Sequence, residues 1–245
     1  MRAVVLTSAL ATIASMAGGA ACAASPWYVS ADLGAQFRED AELIHEPIQR
    51  LLVPVPRQTA NSPTPVVVYV PELVMTKSGG ERAFDPGLGG DLAVGYRLGA
   101  RVRLEAEIGS VAYPIKRESL SLGGANGQTA FSRLSGAQVS GASIGLNAYY
   151  DFRGLTQRFT PYVGLGGGVS SDRTGSGILA DARGRRLQVA GGAATDGFAL
   201  AEIGLNMPLS PHWSIAPAYR YVRGLGSGDR AGALHVAKIG ARFTF

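Results

Sequence analysis

From Trp27 to Phe245 the chain alternates apolar and polar residues with a period of two, and this constrains the fold more than any other feature. A strand sends successive side chains to opposite faces, whereas a helix would scatter them around its circumference. The clearest run is Arg101 to Tyr113, where Val102, Leu104, Ala106 and Ile108 oppose Arg103, Glu105, Glu107 and Gly109. All the charge of that run falls on one face. The same pattern recurs in runs at 27–37, 88–96, 161–169, 199–206, 213–221 and 235–245, and in one ending at Phe152. The spacing therefore predicts eight strands. Pro217 inside the seventh counts against that strand, since proline cannot donate to a ladder.

The connections alternate as well. Those at 97–100, 153–160 and 208–212 are short, while those at about 38–87, 114–136, 170–196 and 223–234 are long. Short turns at one end and long loops at the other are the pattern of an outer-membrane barrel. Trp27, Tyr96, Phe152, Trp213 and Phe245 fall at the short-turn edge, and Phe37, Tyr219 and Tyr221 at the other, as two aromatic girdles require. The expected fold is an all-β, eight-stranded, antiparallel, up-and-down transmembrane barrel with long extracellular loops. A soluble β-sandwich also alternates, but a face so rich in Gly would pack or solvate poorly, whereas the inner wall of a small barrel has little room for side chains. A ten-stranded barrel would recruit Leu51–Val55 and Val66–Val70; their prolines favour a protruding hairpin instead.

Residues 1–23 read as a secretory signal peptide. Arg2 supplies the positive start, Val4 to Ala17 is uncharged, and Ala21-Cys22-Ala23 fits a cleavage site with the cut after Ala23. Lipidation at Cys22 is the rival reading, weakened by Gly19 three residues before it. The barrel domain then covers 24–245. With one Cys and three His in the chain, neither a disulfide framework nor a Cys/His metal site is expected. The net charge of +5 is spread along the chain without a basic stripe, so a nucleic-acid partner is not expected.

Several segments resemble the small outer-membrane β-barrel proteins that group opacity proteins with the barrel domain of OmpA, within a porin-like superfamily. They are Trp27-Tyr28-Val29, Arg103-Leu104-Glu105, Asn147-Ala148-Tyr149-Tyr150-Asp151-Phe152, Pro161-Tyr162-Val163-Gly164, Tyr219-Arg220-Tyr221 and the final Phe245. The resemblance runs over nearly all of 27–245 outside the loops. It implies the outer membrane of a Gram-negative bacterium, a surface role, and Phe245 as the assembly signal read by the barrel-assembly machinery. The first loop departs from the family pattern, with six prolines between 38 and 84.

The polar face belongs to the lumen, because charge on the lipid face costs on the order of 2–4 kcal/mol per Arg or Lys at the midplane. It carries Asp32, Asp91, Glu105, Glu107, Asp151 and Glu202 against Arg103, Arg220, Lys238 and Arg242. An eight-stranded lumen is nearly filled by side chains, and buried charges there must pair. The expectation is a plug of ion pairs with Glu105, Glu107, Arg220 and Arg242 at its centre. A narrow, gated ion path through the same residues is the alternative.

Catalytic constellations do not assemble from the sequence. Gly141-Ala142-Ser143-Ile144-Gly145 matches a nucleophile elbow, but sits in a continuing alternation rather than a strand-to-helix turn. His45, His212 and His235 have no evident Ser partner, and His45-Glu46 does not extend to H-E-x-x-H. No catalytic residue, cofactor or metal is therefore expected. Arg183, Arg185 and Arg186 form a compact basic group in the third long loop, suited to lipopolysaccharide phosphates or to an anionic host or surface glycan. The functional expectation is a monomeric structural and surface protein, serving envelope integrity, adhesion or antigen display. A small-solute porin is the alternative, and a lipid-modifying enzyme the third.

Overall fold

A computed structural model describes residues 25–44, 51–57, 66–72, 78–124, 127–133, 137–154, 158–226 and 232–245. The segment read as a signal peptide, together with Cys22, His45 and Glu46, lies outside them. The described strands in chain order are β1 (Trp27–Arg38), β2 (Ala41–Ile44), β3 (Leu51–Arg57), β4 (Val66–Glu72), β5 (Ser78–Phe84), β6 (Gly87–Leu98), β7 (Val102–Gly124) and β8 (Gly127–Arg133). They continue with β9 (Ala137–Asp151), β10 (Thr160–Thr174), β11 (Gly177–Ala180), β12 (Arg186–Val189), β13 (Gly192–Pro208), β14 (Trp213–Gly224) and β15 (Ala233–Thr244).

Eight of these close a barrel. The wall runs β1-β6-β7-β9-β10-β13-β14-β15, each strand antiparallel to the next, and β15 pairs back onto β1. This is the up-and-down order, and closure onto β1 removes the sandwich reading. The alternating runs of the sequence are these wall strands. Their apolar faces point outward: Leu88 is 75% exposed, Leu146 71% and Leu165 70%. Such a surface is untenable in water and is what a lipid-facing wall requires. Trp27 to Phe37 spans about 33 Å of strand. Tilted by about 40°, that stands roughly 25 Å, the height of an outer-membrane apolar band.

Aromatic contacts mark both edges of the band. At the short-turn edge, called lower below, Trp27 packs edge-on against Tyr96 with centroids 4.8 Å apart, and Trp213 lies 5.0 Å from Phe243. Phe245 packs edge-on against Phe243, and its carbonyl accepts a bond from the Ser25 N–H. At the upper edge Tyr219 and Tyr221 flank His235. Gly99 and Gly154, both at positive φ, sit in the lower turns.

The structure departs from the sequence reading above the band. The stretches read as loops hold strand: β7 continues past Tyr113 to Gly124, and β13 begins at Gly192. Strands β2 to β5, β8, β11 and β12 join these extensions, with the order β4-β3-β12-β11-β8-β7 on one flank and β5 pairing with β7 and β2. These segments face no hydrocarbon, so the alternation that identifies wall strands is weak in them. The β3–β4 pair is the protruding hairpin expected of the proline-rich segment, linked to the body through Arg186↔Leu52 and Leu187↔Leu51. Pro217 does lie in a wall strand. The β14 ladder with β15 continues through it, while that with β13 is interrupted between Ala218 and Ile215.

Candidate functional site

The inner wall is shaped by glycine. A Cβ at Gly95 would collide with the Tyr28 ring, one at Gly164 with Tyr149, one at Gly204 with Tyr162, and one at Gly240 with the Asp32 carboxylate. Each of these glycines is the seat on which a large polar side chain from a neighbouring strand lies flat. That is why a lumen this narrow holds tyrosines and arginines at all.

All ten charged residues assigned to the lumen from the sequence point inward, and they form two clusters rather than one. The lower cluster centres on Arg103, which is 1% exposed. Its guanidinium lies 4.0 Å from the Tyr149 ring centre and 4.5 Å from that of Tyr162, in cation–π contact with two rings that meet edge to face. It donates to Glu105 at 2.5 Å, to Asp151 at 3.1 Å and to Tyr28 Oη at 3.3 Å. Tyr28 in turn donates to Glu105 at 2.6 Å. Arg242 stacks over Tyr28, lies 3.6 Å from Glu105 and donates to Asn206 at 2.9 Å. Glu105 and Asp151 thus stand against Arg103 and Arg242, and Arg97, half-buried over the same Tyr28 ring and bonded to Thr244, is a third cation at this end.

The second cluster lies above it. Arg220 is bidentate to Glu107 at 2.7 Å on both bonds, and also donates to Glu202 at 2.7 Å and to Asp91 at 3.2 Å. Lys238 lies 3.1 Å from Glu202, 3.2 Å from Asp32 and 3.9 Å from Asp91. Tyr162 bridges the layers: its ring covers Arg103 and its hydroxyl donates to Glu202 at 2.9 Å. Here Asp32, Asp91, Glu107 and Glu202 gather around Arg220 and Lys238, so carboxyl groups outnumber cations by two. The expected central quartet is accordingly divided, with Glu105 and Arg242 below, Glu107 and Arg220 above. Oxygens of Asp32, Asp91 and Glu107 lie within 4.8 Å of one another, but Arg220 and Lys238 already engage them.

Above the Arg220 layer a cavity of about 120 Å³ opens. Asp91, Glu107 and Arg220 form its floor. Leu200, Val222, Leu234 and Val236 line it together with Gln36, the strand partner of Val236, and with Ser143 and Ser170. Arg38 lies at its rim, over the Phe84 and Tyr113 rings, bonded to the Tyr113 hydroxyl and 3.8 Å from Asp172. The sequence pattern did not single out Gln36 or Arg38.

The loop arginines are not equivalent. In the β11–β12 turn the Asp181 carboxylate accepts from the N–H groups of Arg183 and Arg185 and binds the Arg185 guanidinium at 2.6 Å. Burial of the Asp181 carboxyl works against its ionisation, but these bonds from Arg185 and Arg183 outweigh it and hold the carboxyl below its ordinary range. Gly184 completes the turn at φ +76°. Arg183 and Arg186 are exposed, while Arg185 is turned back toward Asp181 and the Phe131 ring.

Ser143 lies mid-strand in β9, between Gly109 and Ser170, with no turn at the apparent elbow. It faces the lumen. His235 sits on the outer wall, its Nδ1 2.6 Å from Tyr219 Oη and its Nε2 3.5 Å from Glu39. The two are on opposite faces of the sheet and form no nucleophile–base pair. His212 bonds the Thr244 carbonyl at 2.9 Å.

No protein-family model matches the chain, and no curated protein matches it. Among solved structures it is similar in fold to Neisserial surface protein A, at 18% identity and a TM-score of 0.45, covering 91% of this chain and 100% of that one. It is similar to OprG of Pseudomonas aeruginosa at 14% identity and a TM-score of 0.42, covering 90% and 97%. A third is Ail, the attachment invasion locus protein of Yersinia pestis, at 9% identity and a TM-score of 0.39, covering 89% and 98%.

Proposed function

We propose that this chain is an outer-membrane surface protein of a Gram-negative bacterium, exported by its N-terminal segment, whose sealed barrel anchors a rigid β-structured platform outside the cell. The observation that carries this reading is the filled lower lumen. The Arg103 layer pairs its carboxylates with guanidiniums and packs Arg103 against two tyrosine rings, which suits a plug better than a path. The strand extensions and the protruding β3–β4 hairpin then provide the part that meets the surroundings. Exposed Arg183 and Arg186 suit contact with anionic groups, lipopolysaccharide phosphates or a glycan among them. No catalytic step is proposed.

Protease shaving of intact cells producing the protein tests the reading. The expected result is cleavage within the upper strands and loops, with a membrane-embedded, heat-modifiable core left behind. Recovery in the periplasm, or loops protected in intact cells and cleaved only after lysis, would refute it. For the basic turn, retention of such cells on heparin should fall when Arg183 and Arg186 are replaced by Ala.

A further inference from the structure

Closing the barrel gathers arginines on one side of its lower rim. Arg97 and Arg101 flank the β6–β7 turn, and the β9–β10 turn carries Arg153 and Arg158. The two turns lie side by side, because β7 pairs with β9 and the Asp151 N–H donates to the Arg101 carbonyl at 2.7 Å. Arg97 lies within Coulombic reach of Arg242 and Arg153 as well as of Asp151. Arg101, Arg153 and Arg158 are exposed. The stretches 96–102, 152–161 and 207–213, which hold the lower turns, contain no Asp or Glu. Asp151, the acidic residue beside the first two, is turned inward and binds Arg103. Like charges crowded at a rim call for an anion.

A second observation sets this group against lipid. Val102 and Tyr150 are strand partners whose side chains are exposed on the outer wall. Arg101 donates to the Tyr150 hydroxyl at 3.2 Å, so its guanidinium stands outside the barrel, at the lower girdle. Tyr150 packs edge-on against Phe152 at 5.1 Å, and Arg153 follows Phe152 directly. Toward the middle of the membrane the same flank presents Leu104, Leu146 and Val163, all exposed. Basic side chains at an aromatic girdle, with an apolar wall beside them, match a lipid headgroup and its chains.

We propose that the β6–β7 and β9–β10 turns bind the phosphate of an anionic glycerophospholipid in the inner leaflet. Arg101 and Arg153 hold the phosphate, and the acyl chains run along Val102, Leu104 and Val163. The inference rests on the outer-membrane orientation proposed above, which puts the short turns at the periplasmic leaflet. A guanidinium matches phosphate oxygens with a fork of two donors. A zwitterionic headgroup would bring its own ammonium group to a rim already rich in cations. The remaining lower turn, at 208–212, has no Arg or Lys, and its His212 ring bonds the Thr244 carbonyl. The lipid is therefore held on one side of the barrel. A soluble periplasmic polyanion fits less well, since it would meet the turn tips and leave the place of Arg101 on the outer flank without a role.

The test is native mass spectrometry of the refolded full chain in non-ionic micelles. It is titrated with dioleoylphosphatidylglycerol, dioleoylphosphatidylcholine or glycerophosphoglycerol, the water-soluble headgroup. Folding of each variant is checked by the heat-dependent gel shift. The proposal expects phosphatidylglycerol to bind more tightly than phosphatidylcholine, and the soluble headgroup to give no adduct at the same concentration. Affinity for phosphatidylglycerol should fall about fivefold in Arg153→Gln, and about twenty-fivefold when Arg101→Gln is added, the scale set by each basic residue beside an anionic lipid. The pair Arg183→Ala and Arg186→Ala, at the opposite end of the barrel, should bind as the parent does. Equal binding of the two lipids, headgroup binding as tight as that of the lipid, unchanged affinity in the folded Arg153→Gln and double variants, or an equal loss in the upper pair would each overturn it. Any of these, with the upper strands still shaved from intact cells, would strike the lipid site alone; loops protected in intact cells would strike the orientation on which it rests.

Discussion

The lower and upper halves of the lumen use the same residue types to different ends. Below, Glu105 and Asp151 meet Arg103 and Arg242, with Arg97 a third cation over Tyr28, and tyrosine rings close the gaps. Above, four carboxylates meet two cations, and a cavity opens beyond them. The lower layer is packed as a plug; the upper one leaves space over its charged groups. Within one narrow barrel, charge count and residue volume layer by layer separate the two, whereas the overall composition of the polar face does not.

The largest expected effect breaks the lower half outright. Gly164→Leu drives a side chain into the Tyr149 ring, so the variant should yield no heat-modifiable folded species on a cold gel. Arg103→Leu should fold but lose about 3–5 kcal/mol in urea titration, because it leaves Glu105 and Asp151 buried without their principal cation. A paired comparison sharpens the contrast. Asp151→Asn takes a carboxylate from the cation-rich lower layer and should cost about 2 kcal/mol, while Asp91→Asn takes one from the carboxylate-rich layer above and should cost under about 1 kcal/mol. Equal costs would mean that the two layers are not electrostatically distinct.

The smallest effect lies outside the membrane. The Asp181 carboxyl is held below its ordinary value of about 3.9. Its contribution is therefore fully present above that value and is lost as pH falls through the lower, folded-state value. Amide exchange at Arg183 and Arg185 should accelerate only in that acidic window, leaving the wall strands unaffected.

The wall was legible in the sequence because hydrocarbon outside and charge inside impose a strict alternation, so Arg103, Glu105 and Glu107 could be assigned a face from one strand alone. The extensions above the band carry no such signal, and β5, β8, β11 and β12 were read as loop. The division of the lumen was hidden for a different reason. Arg220 and Glu107 are 113 residues apart and sit on strands that are not neighbours in the wall, so their pairing depends on closure of the barrel. Gln36 looked like any polar wall residue. Its one trace in the sequence is the run of inward glycines on β6, which marks where a neighbouring side chain must lie flat.

Single-channel recording of the refolded protein in a planar bilayer tests the sealed lower lumen most directly. The account predicts a silent membrane for the folded parent chain, with openings appearing in Arg103→Ala, which removes the guanidinium packed against Tyr149 and Tyr162. Steady, reproducible openings of the unaltered barrel would contradict it.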